Sequence, residues 1–275
     1  MTMLTKLFTV GVVLTYTIFG NPARADGKEG VRDEVLARYL EAKDFYSQRL
    51  DLQNVDKALA LIEGLADQTD DTALRYDIYD LMSRAYNCKS FHADVSREEK
   101  LALYEKGMEA AESAMDENDQ LAEAPYLYAV NLGRWGMTKG ITDSLGRKDE
   151  LIENLERALI LKSRTNVPGD EFEGYAATMT LGRIYYKLPG FAGGDIDKSI
   201  QLLEKAHQGY PQNAENVVYL AEALHIAGGP ERQARARELL DQLLVQDPLT
   251  YNPLRPLETS DVFAEGRELR NRMGN

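Results

Sequence analysis

Apolar side chains return along this chain at helical spacing, and no segment holds the strict alternation of a half-buried strand. Val35, Leu36, Tyr39, Leu40 and Phe45 share one stripe of a leading helix over 31–50, with charges between them. A second helix starts at Asn54 or Asp56, either of which supplies a capping oxygen. Asp70-Asp71-Thr72 breaks it, and Leu74, Ile78, Leu81, Met82 and Tyr86 carry the pattern over 73–86. Ser96-Arg97-Glu98-Glu99 has the spacing of a capping box ahead of a helix ending near Met115. Further helices are predicted over 121–137, 148–161, 174–187, 214–226 and 231–245. Pro253 and Pro256 read as an extended connection, and 261–272 as a terminal helix capping the stack. The fold class is all-α.

The stretch 181–211 shows how these helices pair. Leu181, Gly182 and Tyr185 lie on one helix, Ser199, Leu203 and Ala206 on the next, with a Gly-rich turn between and Pro211 closing the unit. A small residue at 182 lets the helices approach closely. This register resembles the tetratricopeptide pattern, which implies a superhelix of antiparallel helix pairs stacked on one another. Met82-Ser83-Arg84, Leu132-Gly133-Arg134 and Leu181-Gly182-Arg183 repeat a large-small-Arg core, the arginines 50 and then 49 residues apart. The standard unit is about 34 residues, so insertions over 139–147, 166–173 and 189–194 take up the excess. Leu220-Ala221-Glu222 keeps the large-small pair with an acid in place of arginine. The units divide as 54–88, 96–140, 148–187 and 193–228, with 230–275 as closing helices of a single domain over 26–275.

The N-terminus has a different character. Lys6, an apolar run over 7–20, and Ala23-Arg24-Ala25 ahead of Asp26 form the pattern of a secretory signal peptide over 1–25. The expectation is a soluble, exported chain, periplasmic or secreted. No cysteine near the cleavage point offers a lipid-anchor site. The net charge of −13 falls to −15 without residues 1–25, which hold Lys6, Arg24 and no acid. So acidic a chain does not bind nucleic acid or an anionic membrane non-specifically. Cys88 is the single cysteine, which excludes an intrachain disulfide and reads as a small buried apolar residue.

Catalytic patterns are missing. His92, His207 and His225 are scattered without metal-ligand spacing, and Cys88 with His92 does not make a zinc site. The Gly190–Gly194 segment lacks the lysine position and preceding strand of a phosphate loop, and is read as a turn between helices with Asp195 and Asp197 at the start of the next helix. No cofactor, metal or catalytic residue is expected. The arginines are the better candidates. In a tetratricopeptide hairpin the residue after the crossing point faces the concave groove, which puts Arg84, Arg134 and Arg183 on one wall. Three guanidinium groups there form a site for carboxylates, unless each pairs with an acid of a neighbouring helix. Trp135, Tyr186 and Phe191 lie near the same elements as candidate apolar lining, and core packing is the alternative for them.

Three segments add a family resemblance. Residues 103–111 (LYEKGMEAA), 126–135 (YLYAVNLGRW) and 188–195 (LPGFAGGD), followed by Leu203-Glu204-Lys205-Ala206 and Pro211, resemble the T component of TRAP-associated transport systems. The resemblance runs from about Asn54 to the end. It implies a non-enzymatic periplasmic helper that docks with a solute-binding protein and holds an apolar or carboxylate ligand; homo-oligomerisation is also open. Family members are typically lipid-anchored, and the missing cysteine departs from that. The alternative reading is a general adaptor for envelope protein assembly.

Overall fold

A computed structural model describes residues 26–252 and 255–274; the segment read as a signal peptide, 1–25, and Pro253 lie outside the described residues. Among the described residues thirteen α-helices follow in order: α1 Asp26–Ser47, α2 Leu52–Ile62, α3 Thr72–His92, α4 Arg97–Glu117, α5 Glu123–Lys139, α6 Ile141–Gly146, α7 Lys148–Ile160, α8 Phe172–Lys187, α9 Ile196–Gly209, α10 Ala214–Ala227, α11 Pro230–Leu244, α12 Pro248–Tyr251 and α13 Pro256–Arg272. Among the described residues there is no strand, only two isolated bridges around Lys162. No helix among them is long and apolar enough to cross a membrane.

Local chemistry sets most of the boundaries. Ser96 and Glu99 make the reciprocal capping box of α4, and Asp71 and Asp195 cap α3 and α9. The α2 cap is Asp51, not Asn54 or Asp56; Asn54 is buried inside the helix with its amide on Gln48 O. The last helix also starts earlier than the sequence suggested. Pro256 opens α13 at its first turn, where a missing N–H costs nothing, instead of extending the connection.

Short turns make consecutive helices antiparallel. The tightest neighbours are α3 with α4, α4 with α5, α8 with α9 and α10 with α11. Two hairpins close with the same device. Ser199 Oγ donates to Gly182 O at 2.8 Å, and Ser83 Oγ donates to Gly107 O at 2.8 Å. A Cβ at Gly182 would lie 2.8 Å from Leu203 Cγ, so only glycine permits this approach. Behind these crossings run three apolar clusters, over α1–α3, over α4, α5, α7 and α8, and over α8–α11 with α13. Each hairpin thus buries its stripe against the next one.

The superhelix also closes on itself. Val262, Phe263 and Leu269 of α13 are buried in the last cluster, while Leu257 in its first turn packs with the Val55, Leu59, Ala85, Tyr86 and Cys88 group of α2 and α3. Arg49, after α1, donates from Nε and Nη2 to Glu258 at 3.0 and 2.9 Å across 209 residues of sequence.

Candidate functional site

Inside this closed superhelix lies a cavity of about 880 Å³. Its wall comes mainly from α3, α5, α8, α10 and α13, with α6 and the start of α7 at one mouth; α4, α9 and α11 contribute nothing to it. The stacking explains this division: one helix of each pair faces inward and its partner forms the outer layer. Eight lysine and arginine side chains but only four glutamates line the cavity, in a chain of net charge −13. Tyr126, Trp135, Met179 and Ile184 supply apolar surface between the charges.

All three spaced arginines reach the cavity, in three different states. Arg84 is held by Asp80 at 2.8 Å and Glu173 at 2.7 Å. Burial opposes its charge, but the two carboxylates keep its pKa above the ordinary arginine value. Burial likewise opposes ionisation of Glu173, and Arg84 overrides it, holding that carboxyl below the usual range. Glu173, Gly174 and Tyr175 are all left-handed, with φ of 49°, 69° and 67°. Two non-glycine residues in that region cost roughly 1–2 kcal/mol each. The turn places Glu173 over Arg84 and packs Tyr175 on Gly209.

Arg183 lies over the Tyr219 ring, 4.0 Å from its centroid, donates to Tyr219 Oη at 2.8 Å and reaches Glu265 at 3.4 Å. Arg134 differs from both. Its guanidinium stacks 3.6 Å from the centroid of Phe91, and among the described residues no carboxylate lies within ion-pair distance of it. It is a cation held by the Phe91 ring and the Tyr104 hydroxyl, with Asp261 acting on it only from beyond ion-pair distance.

The other candidates divide. Trp135 lines the cavity, with its indole N–H on Glu105 at 3.0 Å and Arg147 and Lys139 near its ring. Tyr186 does not line it; its ring is buried in the seam with α10 and its hydroxyl donates to Glu222 at 2.5 Å. Phe191 is 88 % exposed on the turn after α8, away from the cavity. The sequence also hid contributors. Arg49, Arg255 and Glu258 sit outside the repeat register, and Phe91 follows the last predicted residue of its helix. Arg255 pairs with Glu215 at 3.0 Å and Arg49 with Glu258, so the closing side of the cavity is a charge network.

Two reactive side chains near it are quenched. Burial pushes the Cys88 thiol up to about 12, so no thiolate forms at neutral pH. Burial and the neighbouring Arg134 push His92 down to about 4, leaving a neutral ring whose Nδ1 is 3.2 Å from Asp261. Among the described residues no group of His, Cys, Asp or Glu is placed to hold a metal ion.

Comparison with known proteins bears on the fold. The family model described as regulator of microtubule dynamics protein 1-3 matches residues 39–167, short of half the chain. The crystal structure of TTC0263, a thermophilic tetratricopeptide protein of Thermus thermophilus, superposes with a TM-score of 0.52 at 16 % identity, covering 84 % of this chain and 99 % of that one. YrrB, described as a tetratricopeptide protein with an unusual peptide-binding site, gives 0.47 at 12 % identity over 90 % and 97 %. No curated protein matches the chain. The likeness to TTC0263 makes the fold tetratricopeptide-like; none of these matches supports the resemblance to the T component.

Proposed function

We propose that this protein is a non-enzymatic binding protein whose superhelix encloses a carboxylate-bearing, part-apolar group of a partner. The single observation that supports it is Arg134: a cation on the cavity wall, stacked on Phe91, with no carboxylate of its own among the described residues. A guanidinium takes a carboxylate through two parallel N–H donors and stays charged at any relevant pH. The Tyr126, Trp135 and Ile184 surfaces take the apolar part. The net charge of −13 repels such a ligand at long range, so recognition comes from the local cationic wall and not from steering.

The finer part of the proposal is an exported protein that serves a periplasmic solute-binding protein of a TRAP-type system. Its support is the signal-peptide pattern over 1–25 and the segments 103–111, 126–135 and 188–195. A general adaptor for envelope assembly would take an internal protein segment, which a closed superhelix admits only by opening.

Calorimetric titration with dodecanoate tests the first part. One site per chain is expected, with affinity at least tenfold weaker in Arg134→Ala at unchanged helicity. No binding to the wild type, or equal binding to the variant, rejects the carboxylate site. Affinity capture from periplasmic extract tests the finer part: recovery of a solute-binding protein supports it, and repeated recovery of none rejects it.

A further inference from the structure

On the side away from the α6–α7 mouth, the cavity is closed by a single element attached in two unlike ways. From Val262 onward α13 is fixed to α10 and α11 by buried apolar side chains, with Phe263 wholly enclosed. Its first turn instead spans the opening between the two ends of the superhelix. There Leu257 makes an apolar contact and Glu258 pairs with Arg49, and one turn further on Asp261 reaches His92. The Glu258 contact is a built one: Arg49 is only 8 % exposed, and both its Nε and Nη2 donate to the same carboxylate, Nη2 also to the second oxygen at 3.2 Å. The inner side of the same turn carries Arg255 on Glu215 and lines the cavity with Arg255 and Glu258. Stacked-hairpin proteins flex along their axis because each unit touches only its neighbours. A contact between the first and last units is therefore the one that such flexing breaks first.

We propose that the first turn of α13 is a latch, with Arg49–Glu258 as its bolt, and that its release opens a second entrance to the cavity, beside the mouth at α6 and α7, while the rest of α13 stays anchored. Closure itself is independent of what the cavity binds; the gating of entry rests on the reading of the cavity as the binding site. An internal carboxylate on Arg49 also means that a ligand carboxylate competes with Glu258 at this end, which couples occupancy to opening.

Amide hydrogen exchange of the full chain tests the latch. In Glu258→Arg, exchange over 257–262 should rise at least tenfold, while 263–270 and the other helices stay within twofold of the wild type. The exchanged pair Arg49→Glu with Glu258→Arg should restore slow exchange. If Glu258→Arg fails to fold, Leu257→Ser with Glu258 retained is the second variant, with the same expectation. Unchanged exchange over 257–262 overturns the latch, and so does equal acceleration through the whole chain, since closure would then be part of the global fold. Stopped-flow entry of 1-anilinonaphthalene-8-sulfonate tests gating: entry at least fivefold faster in Glu258→Arg supports it, and an unchanged rate overturns it. A wild type and variant that both fail to bind this anion, or dodecanoate, count against the binding reading and leave the exchange result to decide the latch.

Discussion

The two ends of α13 differ in how they hold. The C-terminal part buries Val262, Phe263 and Leu269 against two helices of the preceding unit, a non-directional contact that water does not compete for. The N-terminal part holds through Leu257, the Arg49–Glu258 ion pair and the approach of Asp261 to the neutral His92 ring, groups that keep part of their solvent contact. A buried, well-bonded pair roughly offsets its own desolvation, so it fixes geometry more than it adds stability. One helix thus carries both a permanent attachment and a releasable one. Apolar burial marks the first and paired charge the second.

The contrast is broken most severely at the anchor. Phe263→Ala should cost about 3–5 kcal/mol in urea unfolding, because the ring is wholly enclosed and its neighbours cannot close the cavity left behind. An effect under about 1 kcal/mol would show that the anchored end is no stronger than the latch. Acid should act on the latch side, through His92. Its native pKa of about 4 lies below the unfolded value of 6.5. Between these values the unfolded chain binds a proton that the native chain refuses, so stability falls as pH drops through that window. The groups acting on it are Arg134, Arg49 and Lys100, which push the same way, and Glu258, which opposes them. Asp261, whose own pKa burial raises, takes up a proton early in the native state and offsets part of the loss. A net loss on the order of 2 kcal/mol between pH 7 and 4.5 is expected from His92, measured as the difference in Tm, with a smaller loss in His92→Gln, where the depressed Glu173 and Glu258 carboxyls remain.

Smaller still, Leu257→Ala should cost about 1–2 kcal/mol, since this side chain is only partly buried, and it should leave exchange over 263–270 slow. Arg134→Ala should change stability least, by under about 1 kcal/mol for one cation–ring contact, although it should abolish the carboxylate site. A larger loss of stability would make Arg134 a structural residue.

Most of the helices were legible because they are written in local spacing: the Ser96–Glu99 box, the break at Asp70-Asp71-Thr72, Asp195 at the start of α9, and the Gly182 crossing opposite Leu203. Arg84, Arg134 and Arg183 share one register and line the cavity, but their differing partners are not written in it. Glu173 reaches Arg84 only through a left-handed turn that no propensity foretells, and Tyr186 is diverted into the α8–α10 seam. Least legible was the closure. Arg49 and Glu258 belong to no repeat and meet only because the accumulated rotation of the stacked hairpins brings the two ends together.

That closure is best measured directly, as a distance. Spin labels on cysteines placed at the exposed positions Asp94 and Glu268, in a chain with Cys88→Ala, report the gap between α3 and α13 across the opening. A closed ring gives one narrow distance distribution in the unliganded protein, which broadens and lengthens in Glu258→Arg. A broad, long distribution already present with Glu258 intact, and unchanged by Glu258→Arg, would contradict a closed superhelix.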